Sequence, residues 1–162
     1  MRRKGASLAA RFRRAIRSER DERAEQERAR ELALEAAREA RDSLFVELAE
    51  FARAVEFLSV EQTQAGLVLR FSEGGESREL TFAPVGEADR VGVTFTGQPA
   101  HEHHELYRQP ELDDRWIWSR RRVKREDRLP LFDEGLEELL VRGLGLPRPG
   151  DESPPPAGER AL

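Results

Sequence analysis

From Ala6 to about Leu58 the chain holds neither glycine nor proline, and its apolar residues recur at helical spacing. A single helix of that length reaches roughly 75–80 Å at about 1.5 Å per residue. Most of it must therefore stand in solvent or lie against another body. Its faces change along its length. Leu8, Phe12 and Ile16, with Ala9 and Ala15, share one side, while Arg11, Arg13, Arg14 and Arg17 take the other. Residues 19–28 offer only Ala24 as an apolar position and read as a solvated spacer laced by Glu–Arg pairs. From Ala29 an alanine stripe begins (Ala29, Ala33, Ala36, Ala37, Ala40), and Leu44, Leu48, Phe51, Val55 and Leu58 extend it. Val46 and Phe57 fall on the far side, so this last part is expected to be covered from two directions.

Beyond Val60 the period changes to two. Val60–Gln64 reads as a first strand, followed by a turn at Ala65-Gly66. Leu67, Leu69 and Phe71 alternate with polar or smaller neighbours in a second, and Gly74-Gly75 supplies a hairpin turn. Leu80 and Phe82 mark a third strand and Val91, Val93 and Phe95 a fourth. These give an antiparallel sheet one apolar face, and helix 43–58 is the nearest element to cover it. Gly97–Gln109 reads as polar and irregular. Trp116-Ile117-Trp118 begins a fifth strand. Asp133 is placed to cap a short final helix with Leu136, Leu139, Leu140 and Leu144 on one face, ended by Gly143 and Gly145. The expected fold is α+β: a long N-terminal helix, an antiparallel meander of four or five strands, a short C-terminal helix and a disordered C-terminal tail. The expected divisions are a basic amphipathic arm (1–18), a charged helical spacer with the alanine stripe (19–42), a small domain (43–146) and the tail (147–162).

Charge sharpens this picture because it is segregated. The net charge of −4 conceals seven cations and no acid in residues 1–18. A second basic run, Arg120, Arg121, Arg122, Lys124, Arg125 and Arg128, is accompanied by Glu126 and Asp127. There is no cysteine, which leaves no disulfide framework, thiolate metal site or cysteine nucleophile. No apolar run approaches the roughly 20 residues that span a bilayer, and a cytoplasmic protein, peripheral at a membrane at most, is expected.

Three stretches carry candidate chemistry. The first is the arm, with Arg11, Phe12, Arg13, Arg14, Ile16 and Arg17, followed by the alanine stripe. A cationic amphipathic helix suits an acidic protein, an anionic membrane surface or a phosphate backbone. Close-packing alanines admit a second helix, from another protein or from a second copy in a homodimer. The second stretch sets Trp116, Trp118, Arg120, Arg122 and Lys124 on one strand face, the ingredients of a single-strand nucleic-acid surface. Its plainer reading is core-capping tryptophans with solvated edge arginines. The third, His101-Glu102-His103-His104-Glu105, puts His101, His103 and Glu105 at metal-compatible alternation but lacks any zinc-signature spacing, so no metal site is expected. No nucleophile elbow, phosphate-binding glycine loop or paired-carboxylate spacing stands out, and neither enzyme activity, cofactor nor small-molecule substrate is expected. The reading is a non-enzymatic interaction or adaptor protein that docks through its N-terminal helix and basic tip to an acidic protein or membrane surface. The alternative is a nucleic-acid-binding protein using residues 2–17 and 120–128.

Overall fold

A computed structural model describes residues 2–86 and 89–150, with the side chain of Arg2 left aside. The tail expected at 147–162 thus falls largely outside the described residues. Helix α1 (Arg2–Ala54) is followed by seven strands: β1 (Leu58–Thr63), β2 (Gly66–Glu73), β3 (Glu76–Val85), β4 (Arg90–Phe95), β5 (His103–Gln109), β6 (Arg115–Arg122) and β7 (Arg125–Pro130). A short helix α2 (Leu136–Leu144) closes the order. The α+β class holds, with seven strands where four or five were expected. The chain divides into two compact units, Met1–Glu39 and Ala40–Leu162, with α1 running through the division.

Within the second unit the strands pair antiparallel in strict chain order, β1 to β7. Two turns show why the sequence folds this way. Gly74 and Gly75 both take positive φ (60° and 84°), the backbone that a two-residue hairpin between Glu73 and Glu76 requires. Gly66 has φ 142°, and a Cβ there would meet the Phe82 carbonyl oxygen at 2.0 Å, so no other residue fits without movement.

One face of the sheet carries Leu67, Leu69, Leu80, Phe82, Val91, Val93, Leu106, Trp116 and Trp118. They form a single buried cluster with Leu44, Phe45, Leu48, Ala49 and Ala52 of α1 and with Leu136, Leu139, Leu140 and Leu144 of α2. Helix 43–54 therefore covers the period-two face, but from one side only. Val46 and Phe57 are 50% and 79% exposed, against the expectation of cover from two directions. The opposite sheet face is polar, as an antiparallel sheet with one solvated side demands; there Arg70 bridges Glu61 (2.6 Å) and Glu79 (2.7 Å).

The helix ends earlier than its composition indicates. α1 stops at Ala54, and Phe57 takes φ 73°, turning the chain so that Leu58 opens β1 instead of closing the helix. At the other end Asp133 caps nothing. It lies in an irregular turn (Leu131–Gly135), while Gly135 occupies the N-cap of α2 with no side-chain hydrogen bond. Gly143 is a buried helical residue at which a Cβ would come within 3.3 Å of Leu80 and Phe95, and Gly145 alone terminates α2 with φ 70°. Its amide and that of Leu146 both donate to the Leu140 carbonyl, satisfying the exposed helix end.

Candidate interaction surfaces

In the first unit, α1 presents its arm to solvent. Leu8, Phe12 and Ile16 are 50%, 61% and 48% exposed, a continuous apolar face with no cover. Arg11, Arg13, Arg14 and Arg17 are exposed as well, and among the described residues none of them forms an ion pair. The first acid on the helix is Glu19, which holds Arg23 at 2.9 Å. Along the alanine stripe, Ala29, Ala33 and Ala36 are exposed, Ala37 is buried, and Ala40 packs at the margin of the domain core.

The second basic stretch has the opposite character. Trp116 and Trp118 point into the core and are 6% and 1% exposed, so neither offers a face for base stacking. The physical reason is strand parity: residues alternate across the sheet, and this face is the one that α1 and α2 cover. Arg120 shares it and is buried too, making two bonds to Asp127 Oδ2 (3.2 Å from Nε, 2.6 Å from Nη2). Arg122 donates to the same oxygen at 3.3 Å. Lys124 leaves the strand altogether, because Val123-Lys124 is the turn of a β6–β7 hairpin in which Arg122 faces Arg125. On the outer face Glu126 accepts from Arg128 and Ser119, both at 2.9 Å. Hydrogen bonds from these two groups, Arg128 foremost, hold the Glu126 carboxyl below the usual range, and the bond from Arg120 does the same for Asp127. Trp116, Trp118, Arg120 and Arg122 thus share one sheet face, as alternation predicts, and Lys124 alone departs from it at the turn.

The histidine stretch separates likewise. His103 opens β5 and its Nε2 lies 3.2 Å from Glu105 on the solvated face, while His101 stays exposed in the preceding turn. His104 is the buried one. The Trp118 indole N–H, which can only donate, reaches His104 Nδ1 at 3.2 Å, and His104 Nε2 lies 3.1 Å from Glu102. Nδ1 is thereby the acceptor and Nε2 carries the proton, donated to Glu102. Burial pushes the His104 pKa down, against the opposing pull of Glu102 and with help from Arg120 and Arg142. Both ring nitrogens are committed, which leaves neither for a metal or a substrate proton. Among the described residues no group of three or more His, Asp or Glu is placed to hold a metal ion, and no helix is long and apolar enough to cross a membrane.

One surface was not foreseen. Beside α2, a groove of about 700 Å³ is formed by the end of α1, the turn after it, β2, the irregular turn before α2, and the chain beyond Gly145. Its floor is apolar: Phe51, Val55, Phe71, Leu136, Leu140 and Leu146. Phe57 and Phe132 line it while 79% and 49% exposed. Glu56, Glu73, Asp133 and Glu137 also line it, and among the described residues no Lys, Arg or His does. Glu137 is partly neutralised by Arg148 at 3.6 Å. A bulky aromatic at positive φ is a backbone outlier that costs of order 1–3 kcal/mol, and Phe57 incurs it while leaving its ring in solvent at the groove. The periodicity marked Phe57 only as off-face. Nothing local marks the groove, since its walls come from segments far apart in the chain.

Comparison with protein-family models, with curated proteins and with solved structures finds no match to this chain.

Proposed function

We infer that the protein is a non-enzymatic interaction protein that docks through the basic arm of α1 to an acidic protein surface. The observation that carries this reading is the state of the arm's charges. Arg11, Arg13, Arg14 and Arg17 have no ion-pair partner among the described residues; Arg11 and Arg13 flank the exposed Leu8, Phe12 and Ile16, and Arg14 and Arg17 lie behind them. The exposed alanines 29, 33 and 36 continue the same helix as a strip along which a partner helix can approach closely. An anionic membrane is a weaker fit. About 1 kcal/mol per surface cation would be joined by the insertion of only three large side chains. Nucleic acid is weaker again, because Arg120, Arg122 and Arg128 of the second basic cluster are engaged by Asp127 and Glu126 and its tryptophans are buried in the core.

The test compares the full-length chain with a variant carrying Arg11→Gln, Arg13→Gln, Arg14→Gln and Arg17→Gln. Capture of a protein partner from the native host should be salt-sensitive for wild type and lost in the variant. Equal capture by both would overturn the reading. Titration of both proteins against anionic vesicles, duplex DNA and single-stranded RNA supplies the other outcomes: arm-dependent tight binding to any of these replaces the protein surface as the target.

A further inference from the structure

Among the described residues, two uncovered apolar surfaces carry opposite charges. Three aromatic residues stand among the exposed large hydrophobics: Phe12 on the arm, and Phe57 and Phe132 at the groove. Phe12 lies in a face flanked by Arg11 and Arg13, each about 100° around the helix from it, and the two groove phenylalanines lie among Glu56, Glu73 and Asp133. We propose that the groove beside α2 is a receptor for a cationic amphipathic helix, and that its occupant is the arm of a second copy of this chain. This rests on the docking reading above and names the acidic surface that the arm meets.

The chemistry of the two surfaces matches in three respects. Leu8, Phe12 and Ile16 recur every fourth residue, so they stand about 6 Å apart along one helix face at about 1.5 Å per residue, the anchor pattern of a helix laid in an apolar groove. A volume of about 700 Å³ lies within the roughly 300–1,000 Å³ of sites that enclose a drug-sized ligand, enough for a few side chains and too little for a whole domain. Carboxylates among the groove's lining and arginines beside the anchors set the orientation and the encounter rate. The strained, exposed Phe57 also acquires a purpose: the left-handed turn holds its ring at the groove, where an incoming helix covers it.

Sedimentation velocity of full-length proteins over a wide concentration range decides the matter. Wild type should self-associate, and more weakly as salt rises. Arg11→Glu with Arg13→Glu reverses both flanks of the arm's apolar face, and glutamate keeps the helix; Glu56→Arg with Glu73→Arg reverses the groove at exposed positions. Each double variant should lose at least about tenfold in association constant, since like charges then face each other. A chain carrying all four changes should recover association, as should an equimolar mixture of the two double variants. Recovery demands that arm meets groove and is not produced by any other dimer contact. A wild type that stays monomeric, or reversals that change nothing, or a fourfold variant that does not recover, each overturns the proposal. Should wild type be monomeric while the arm still captures an acidic protein in a salt-sensitive way, the docking reading stands and only the partner assigned here falls.

Discussion

The chain concentrates arginine twice, and the two clusters have opposite fates. On β6 the side chain of Arg120 is 6% exposed and bound to Asp127, with Arg122 sharing the same carboxylate. On the arm the four arginines stand in solvent, two flanking an apolar face and two behind it. Residue type and density are nearly the same; the difference lies in what the backbone brings opposite. A two-residue turn at Val123-Lys124 folds Asp127 onto Arg120 and Glu126 onto Arg121, whereas residues 2–18 contain no acid to fold onto. A basic run in a hairpin can be partly compensated by the acids just beyond its turn. In a helix the available acids lie only three or four positions away.

The contrast can be broken most forcefully at Trp118. It is 1% exposed and donates to His104, so Trp118→Ala should cost about 3–5 kcal/mol in denaturant unfolding. A stability loss near zero, together with weakened RNA binding, would mean that this face is a surface after all.

Next comes pH. The native His104 resists protonation because it is buried, whereas in the unfolded chain it takes a proton near the ordinary value of about 6.5. Stability tied to His104 is therefore complete above that value and declines as pH falls below it toward the depressed native pKa. Asp127, Glu126, Glu102 and Glu138, all held low in the native state, add further loss in the carboxylate range. Melting temperature should drop from pH 7.5 to 5.5 in wild type and stay flatter over that window in His104→Gln. Parallel curves would remove His104 as the cause. The arm, whose groups face no such partner, should leave this profile unmoved when Arg13 and Arg17 become glutamine.

A smaller effect, of opposite sign, belongs to Phe57. Asparagine tolerates the left-handed conformation, so Phe57→Asn should raise stability by about 1 kcal/mol, near the low end of what such strain costs. A destabilised variant would show that the ring packs instead of waiting for cover. Smallest of all, Phe12→Ala on the arm should change unfolding free energy by less than about 0.5 kcal/mol, as for a surface position without partners. A loss several times larger would mean that the arm belongs to a core.

What could be read in the chain beforehand follows from where the polar residues point. Strands β2, β3 and β4 alternate clearly because their inward positions are Leu67, Leu69, Leu80, Phe82, Val91 and Val93. Strands β5 and β7 escaped because their inward positions include His104 and Asp127, each of which looks solvent-directed until its partner is known. One cross-strand row shows the change: Leu67, Phe82, Val93, His104, Arg120 and Asp127 lie in register from β2 to β7, apolar at one end and ionic at the other. Hydrophobic periodicity sees only the first half of such a row. A search for complementary charges across the Val123-Lys124 turn would have found the second. The amphipathic arm was legible because a helix lays its pattern out locally. The groove was not, because Phe51, Phe71, Phe132 and Leu146 meet only after folding.

The sequential strand order also governs how this domain is made. Each strand pairs only with its chain neighbours, so the sheet's pairing is local and it can grow hairpin by hairpin, a feature associated with fast folding. During synthesis, at about 5–20 residues per second, Arg120 emerges before Asp127 does. Until β7 closes its hairpin, the inward end of the sheet holds an uncompensated cation. The last hairpin therefore completes the core electrostatically as well as by packing, and a chain stalled before Asp127 is left with a sheet whose final strand repels its own burial.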